Sequence, residues 1–509
     1  MGVISSSKYL AGTALLAMAV APATAETLRE ALAKAYATNP TLAGARADLR
    51  ATDENVPIAK SNGLPQVTLQ SAYQENVLVA SNSFASPLRQ VTAQAQATLP
   101  IYAGGQVRNS VTAAKVRVDA GRASLRRTES DLFTAVVGAY MDVIRDEAIV
   151  SLNQQNVKVL EVNLQASKDR FQVGDLTRTD VAQSEARLAL ARAQLQSAQA
   201  KLISSRESYV RLVGSTPDTL ETPPDIPNLP TNADTAVDVA LRDNPALIAA
   251  HKQADAAGFD EKAAHGQRLP KLQLFAGTSY YNYLDSLQVS GFGVQQSGNA
   301  AQGGVQLSLP LYQGGRPSAQ IRQARDRRTQ AIEGVTETER GVIAQTRSAY
   351  AVWQSSLDVI QSSIVTVNAD KLSLEGVRAE NSVGNRTILE ILNAEQELLN
   401  AQVQLVTAKR DAYVAGFALI AAMGHAEARD LGLDGGALYD PVQHYDRVHN
   451  QLSDWADGNS PGPYATSTTG SKAQNATVDT VREPVLGAPI DGTVDTDAPN
   501  PAKADKPKR

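Results

Sequence analysis

Side chains able to catalyse reactions or bind metal ions are few and scattered in this sequence. Its 509 residues include no cysteine, which excludes thiol catalysis and cysteine-ligated metal sites. The segment GGQVRNS, which begins at Gly104, lacks the GxxxxGK[ST] spacing of a phosphate-binding loop, and spacing supports no Ser-His-Asp or paired-carboxylate site. The five histidines show no metal-ligand spacing: His251, His265, His425, His444 and His449. We therefore predict that the chain is not an enzyme and holds no cofactor or metal.

Composition narrows the remaining classes of function. The formal net charge is −5 and no basic stripe is present, so we expect no nucleic-acid partner. Apolar residues make up 43% of the chain but aromatic residues only 5%, which indicates a core of Ala, Val and Leu. Such a core suits narrow seams between helices.

The N-terminus predicts export. Residues 1–25 contain Lys8, the apolar run YLAGTALLAMAVA and the small residues Ala23-Thr24-Ala25, the pattern of a secretory signal peptide cleaved before Glu26. Beyond it no apolar run reaches about 18 residues, the rough minimum for a membrane-spanning helix. We therefore expect the exported chain to meet a membrane through β-strands.

One seven-residue motif occurs twice, as LPIYAGG at Leu99–Gly105 and as LPLYQGG at Leu309–Gly315. Other matching residues of the two halves are separated by nearly the same number of positions. This predicts an internal two-fold repeat. We place the first repeat at residues 26–214, a proline-rich linker at 215–234 and the second repeat at 235–433. The polar, proline- and glycine-rich residues 434–509 are predicted to be a mostly disordered tail.

Each repeat should contain an initial helix and then a long helical hairpin, at residues 105–214 and 315–424. Apolar residues recur at sevens from Val136 to Phe171 and again, after a turn, from Val181 to Tyr209. Apolar residues also recur at seven-residue intervals from Trp353 to Leu374 and from Ile391 to Leu419. Heptads of this kind predict antiparallel coiled-coil hairpins. Ordinary helix-bundle packing is the alternative, but the seams exceed the length that a compact domain uses.

Between these helices the apolar period drops to two. In RQVTAQAQATLP, which ends at Pro100, apolar residues alternate with Gln and Thr. We predict strand pairs within residues 64–100 and 269–310, giving four short strands per chain. Four strands cannot close a barrel in lipid, where unpaired backbone groups are costly, so three chains would share a barrel of twelve strands.

The Leu-Pro and Gly-Gly pairs lie where a strand should stop and a helix begin. Proline ends ladder pairing, and glycine lets the backbone turn onto the helix axis. The predicted strand–helix swivel residues are Pro65, Pro100, Gly104, Gly105, Pro270, Pro310, Gly314 and Gly315.

Over roughly residues 26–433 the order of strand pair and helical hairpin, found twice, resembles the TolC family of outer-membrane ducts. The resemblance implies a mixed membrane protein, mainly α, in which a homotrimer forms a β-barrel in outer-membrane lipid and a long periplasmic tunnel of a Gram-negative-type cell. It also implies a periplasmic adaptor (membrane fusion protein) and an inner-membrane ABC or RND transporter as partners. The most specific parts are the two hairpin turns, VGDLTRTD from Val173 and VGNRTILEILNAEQ from Val383.

By this resemblance the turns dock the adaptor, through Val173, Gly174, Asp175, Leu176, Val383, Gly384 and Asn385. A gate latch would link Arg386 to Thr179 and Asp180. Glu390 and Asn393 would stand at the selectivity ring of the tunnel entrance, although Asn393 leaves one of the family's acidic positions uncharged. Asn381 stands where the family often has tyrosine, which weakens the latch.

Two questions stay open at this point. The resemblance favours a duct that exports proteins in type I secretion, with small-molecule efflux through a tripartite RND assembly as the runner-up. A different class of function is an exported coiled-coil spacer of the envelope that conducts nothing. The spacer accounts for the heptads but not for the alternating strands.

Overall fold

The structure is a computed structural model, and it describes residues 25–78, 86–227, 229–287, 293–433, 438–458 and 462–478. The predicted signal peptide lies outside the described residues except for Ala25. The helices are α1 Leu28–Thr38, α2 Pro40–Ser61, α3 Gln106–Gln172, α4 Arg178–Val213, α5 Ala233–Asp243, α6 Pro245–His265, α7 Arg316–Ser382, α8 Ile388–Ala422 and α9 Gln443–Val448. The strands are β1 Gln66–Glu75, β2 Arg89–Ala103, β3 Lys271–Asn282 and β4 Ser297–Ser308.

Two long helices dominate the chain. α3 and α7 have 67 residues each, which corresponds to a length of about 100 Å. α4 and α8 return along them but have only 36 and 35 residues. The two arms of each hairpin are therefore unequal in length, and the sheet-proximal part of α3 packs instead against α2 and α6. α6 also packs against α7 and so joins the two long helices.

The predicted heptad seams are buried along most of their length. Val136, Val143 and Val150 have no exposed surface, and Val367 and Leu374 on α7 are buried as well. These residues recur at sevens because a supercoiled helix returns the same face to its partner every two turns. No helix among the described residues is both long and apolar enough to cross a membrane.

Two asparagines tie the short helices to the returning helices. Asn39 Oδ1 caps α2 by accepting from the Thr41 amide at 2.9 Å, and its Nδ2 donates to the Leu212 carbonyl of α4 at 2.9 Å. Asn244 likewise caps α6 and donates to the Ala422 carbonyl of α8 at 2.8 Å. In each case proline occupies the first helical position, where its missing N–H costs nothing. Each Asn-Pro pair is thus both a helix start and a contact between elements.

The largest hydrophobic cluster lies where α1, the middle of α3 and the ends of α4 and α8 meet. Phe133 and Tyr140 from α3 and Tyr209 from α4 are fully buried there. The Tyr140 hydroxyl lies 2.8 Å from the Glu26 carbonyl oxygen and 2.6 Å from that of Glu221. The start of the described chain and the linker after α4 therefore both contact α3 through the Tyr140 hydroxyl.

The four strands form one antiparallel sheet in the order β1-β2-β3-β4. Its register puts Val67 opposite Ala97, Leu69 opposite Ala95 and Leu274 opposite Val305, so one face is apolar. The other face carries the pairs Thr68–Gln96 and Gln70–Gln94. This separation follows from the alternation in RQVTAQAQATLP, because successive side chains point to opposite faces of a strand.

The C-terminal tail differs from the prediction of disorder. Residues 438–458 and 462–478 lie against the helical body, where Val448 is buried and His444 Nδ1 lies 3.0 Å from Asp53 Oδ2 on α2. Ala476 and Val478 pack against the main cluster. Polar composition hid these contacts because they are made by isolated side chains rather than by a periodic face. The rest of the tail, from residue 479, lies outside the described residues.

Candidate functional site at the hairpin tips and strand–helix junctions

The first hairpin turn joins α3 to α4 at residues 173–177. Gly174 has a φ of 82°, the left-handed conformation that favours glycine, and Val173 is 80% exposed. Asp175 accepts from Arg170 Nε at 2.9 Å. Thr177 then starts α4 as its N-cap. The turn therefore presents an apolar side chain to solvent.

The second turn joins α7 to α8 in the same way. Gly384 has a φ of 80° and Val383 is 70% exposed. Thr387 and Glu390 form a capping box at the start of α8, in which the Thr387 amide donates to Glu390 Oε2 at 2.7 Å. Asn381 Nδ2 donates to the Arg386 carbonyl at 2.6 Å and so closes the turn. Asn381 thus stabilises the loop that the predicted latch residue occupies.

The predicted latch residues are not joined within one chain. Arg386 Nε donates to Glu380 at 2.6 Å, and Arg386 Nη1 donates to Glu390 at 2.9 Å. Thr179 is exposed, and Asp180 accepts from the amide and hydroxyl of Thr177, which holds the pKa of Asp180 below its usual value. Arg386 and Asp180 therefore have their partners within their own turns, because the capping boxes hold Glu390 and Asp180 at the helix starts.

The two predicted ring residues have different surroundings. Glu390 is part of the capping box, and its hydrogen bonds with the Thr387 amide and with Arg386 hold its pKa below the usual value. Asn393 Oδ1 accepts from Arg187 on α4 at 2.6 Å, so it connects the second hairpin to the first. Glu390 alone carries charge at these two positions, and an ion pair with Arg386 already balances part of it.

A buried carboxylate links three helices near the tips. Glu395 on α8 is 6% exposed, and it accepts from Arg378 on α7 at 3.0 Å and from Asn163 on α3 at 3.0 Å. Our sequence analysis missed this cluster. A signal was present, because Glu395 lies four residues after Ile391 and so falls on the buried face of a heptad seam.

Both glycine pairs lie at the strand–helix junctions with left-handed backbone angles. Gly104 and Gly105 have φ values of 63° and 73°, and Gly314 and Gly315 have values of 60° and 81°. Gly105 and Gly315 are the N-caps of α3 and α7. A Cβ on Gly104 would overlap the Gly266 carbonyl oxygen and lie 2.9 Å from Leu269 Cβ, so the first junction is also closely packed.

Proline acts differently at the two junctions. Pro310 follows the end of β4, and Pro65 and Pro270 immediately precede β1 and β3. Pro100 does not end its strand: β2 continues to Ala103 and stays paired with β3 across a bulge between Pro100 and Tyr102. Pairing with β1 has already stopped at Thr98, so the missing N–H of Pro100 is tolerated at an irregular position.

Comparison with known proteins decides the family. The sequence pattern described as "Outer membrane efflux protein" matches residues 31–215 and 236–425. The chain belongs to the outer membrane efflux protein family. It is 36% identical over 448 residues to the outer membrane efflux protein BepC of Brucella suis, covering 88% of this chain and 95% of BepC. Its location is therefore the outer membrane.

More distant relatives of the TolC family also match. The chain is 26% identical to outer membrane protein TolC of Escherichia coli, covering 82% of this chain and 86% of TolC. It is 28% identical to the alkaline protease secretion protein AprF of Pseudomonas aeruginosa, covering 60% and 64% of the two chains. The crystal structure of the CmeC outer membrane channel of Campylobacter jejuni has the same fold, with a TM-score of 0.69, 15% identity and coverage of 89% and 98%.

Two structural features of this efflux-family chain contain none of the predicted site residues. The Asn163–Glu395–Arg378 cluster lies inside the matched region, whereas the packed C-terminal residues 438–458 and 462–478 lie beyond it. Within the part of the chain that the structure describes, no group of three or more His, Cys, Asp or Glu side chains is placed to hold a metal ion.

Proposed function

We propose that three copies of this chain form a channel-tunnel that carries cargo across the outer membrane. The observation that carries this proposal is the open four-stranded sheet, with one apolar face, one glutamine-rich face and free edges at β1 and β4. In lipid such edges must pair, because unpaired backbone groups cost several kcal/mol each. Pairing β4 of one copy with β1 of the next satisfies both edges.

Three copies would give twelve strands, a size that leaves a water-filled passage. The apolar face would then meet lipid, and the Gln and Thr side chains would line the lumen. Residues 26–214 and 235–433 act in this proposal as two repeats joined by the linker at 215–234. Their matching Asn-Pro contacts, at Asn39 and Asn244, support that division.

The long helices would form the periplasmic tunnel, with the hairpin tips at its far end. There the exposed Val173 and Val383 would dock a periplasmic adaptor that is bound to an inner-membrane transporter. Arg386, with Thr179 and Asp180, would latch the closed tip between neighbouring copies. Exposed ion pairs are worth only about 1 kcal/mol, so a docking partner could release three of them.

For the cargo, we infer protein export driven by an ABC transporter, with drug efflux by an RND transporter as the second possibility. AprF is named for protease secretion, which supports the first, and BepC is named for efflux, which supports the second. Either route uses the same duct, so the tip contacts rather than the sheet would select the transporter.

The duct is tested by reconstituting the full chain in a planar lipid bilayer after its mass in detergent has been measured. We expect a trimer that produces small, cation-selective conductance steps. A trimer that inserts but never conducts would contradict the duct and favour a structural spacer.

A further inference from the structure

The described part of the C-terminal segment (residues 438–458 and 462–478) follows a defined path along the helical body. The Tyr439 amide donates to the Tyr36 hydroxyl at 3.0 Å, and His444 then pairs with Asp53 on α2. Further on, the His449 carbonyl accepts from Lys60 Nζ at 2.6 Å. Because β1 follows α2, the order from Asp53 to Lys60 means that this segment runs toward the sheet.

The segment then turns through residues 449–458, which we call the apical loop. Lys60 Nζ donates to Asn450 Oδ1 at 2.8 Å, and Gln451 Nε2 donates to the Ala456 carbonyl at 2.8 Å. Residues 462–478 lie farther from the sheet: the Thr466 hydroxyl is 3.4 Å from the position of a Cβ on Gly214, at the end of α4. The apical loop is therefore where the described segment comes closest to the sheet.

The loop lies at the level of the strand–helix junction. The Gly63 amide donates to the Lys60 carbonyl at 2.9 Å, and a Cβ on Gly63 would lie 3.0 Å from Val107 in the first turn of α3. β1 begins at Gln66. Lys60 thus holds the apical loop within about two helical turns of the point where the chain enters the sheet.

Large apolar side chains of the apical loop face solvent at this level. Trp455 is 93% exposed and Leu452 is 71% exposed, although a closed turn holds the loop in place. The two strand–helix junctions expose similar side chains: Ile101, Tyr102, Leu311 and Tyr312. Tryptophan and tyrosine are enriched at the boundary between membrane and water, where the ring is in contact with acyl chains and the polar edge with headgroups.

The charges around Trp455 indicate the kind of surface. Asp454 and Asp457 flank it, and Lys60 lies behind the loop with its ammonium already bound by the His449 carbonyl and Asn450. Two carboxylates disfavour an anionic lipid surface, whereas a zwitterionic headgroup offers an ammonium group to them.

We propose that the apical loop is an interfacial anchor, in which Trp455 and Leu452 insert among the zwitterionic headgroups of the periplasmic leaflet of the outer membrane. This inference rests on the proposed function, because it requires the sheet to span that membrane. The anchor would hold the C-terminal segment, and with it α2, against the membrane beside the barrel.

Tryptophan fluorescence tests the anchor directly, since Trp353 and Trp455 are the two tryptophans of the chain. The full-length Trp353→Phe variant, reconstituted in phosphatidylcholine vesicles, leaves Trp455 as the reporter. We expect blue-shifted emission that falls about twofold when the acyl chains carry bromine near the headgroup, as for a side chain at the interface. The matched control adds Trp455→Phe and Tyr464→Trp, which moves the reporter to an exposed site near Gly214, and its emission should not be quenched.

Each other result overturns the anchor. Emission typical of water without quenching would place Trp455 in solvent, and blue-shifted emission without quenching would place it against a second copy of the chain. Conductance of the same preparation separates the two proposals. Conductance without quenching removes the anchor alone, and a preparation that neither inserts nor conducts removes both.

Discussion

Glu395 accepts a hydrogen bond from Asn163 Nδ2 at 3.0 Å, although α8 and α3 belong to different hairpins. Arg378 on α7 donates to the same carboxylate. One buried side chain therefore holds together three helices near the tips, where the two turns themselves share no hydrogen bond through Arg386, Thr179 and Asp180.

Glu395→Ala should loosen the tip and lower stability by about 2 kcal/mol, because it leaves Arg378 and Asn163 without their shared acceptor. Thermal unfolding of the detergent-solubilised protein measures the change. The control is Glu397→Ala on the exposed face of the same helix, which should change little. Equal effects of the two substitutions would show that the Glu395 cluster contributes no more than a surface residue.

Arg386→Ser should increase single-channel conductance if Arg386 holds the tip closed, because the latch between neighbouring copies is lost. Planar bilayer recording measures this. Arg170→Ser is the matched control, since Arg170 forms a similar exposed ion pair with Asp175 in the first turn. If both variants conduct like the parent chain, the duct stands but Arg386 is not its latch.

Gly104→Ala and Gly314→Ala separate steric overlap from backbone strain. The φ values are nearly equal, 63° and 60°, so both variants incur the cost of about 1–2 kcal/mol for a left-handed alanine. Only Gly104 also faces the Gly266 carbonyl and Leu269, whereas a Cβ on Gly314 meets nothing within 4 Å. We expect Gly104→Ala to reduce the yield of folded protein far more, and similar yields would argue against close packing at the first junction.

Asn244→Asp and Asn244→Ala test the two contacts of that asparagine. Aspartate still caps α6 but cannot donate to the Ala422 carbonyl, whereas alanine loses both contacts. Loss of the cap alone costs about 1 kcal/mol, so if capping dominates, the alanine variant should have a lower melting temperature than the aspartate variant. If the tie to α8 dominates, the aspartate variant should be destabilised at least as much, because its charge faces a carbonyl oxygen.

Acid should weaken the contact between α5 and the end of α8. Hydrogen bonds from Arg242 and then His425 lower the pKa of Asp243 to about 2. A carboxyl whose pKa is depressed by folding stabilises the protein above its unfolded pKa of about 4, and this contribution is lost as pH falls toward 2. Melting temperatures measured from pH 5 to pH 2 should fall less steeply in Asp243→Asn than in the parent chain, and Asp255→Asn, an exposed position on α6, should retain the parent slope.

Periodic features could be predicted well from the sequence. The apolar residues spaced seven apart at Val136, Val143 and Val150 are buried between helices. The alternating residues before Pro100 form a strand with one apolar and one polar face. Both depend on local geometry, because the helical and extended repeats fix which side chains share a face. The glycine pairs were also predictable, since few other residues adopt their backbone angles.

Contacts between distant, non-periodic residues could not be predicted in this way. The sequence by itself determined the helices, the strand faces and the family, because these follow from patterns repeated over many residues. Only the tertiary structure decided that Glu395 binds Asn163 and Arg378, that β2 passes through Pro100, and that the tail packs along α2. Each depends on single side chains that the packing of the long helices brings together. A periodic pattern along the chain does not specify contacts between residues so far apart in sequence.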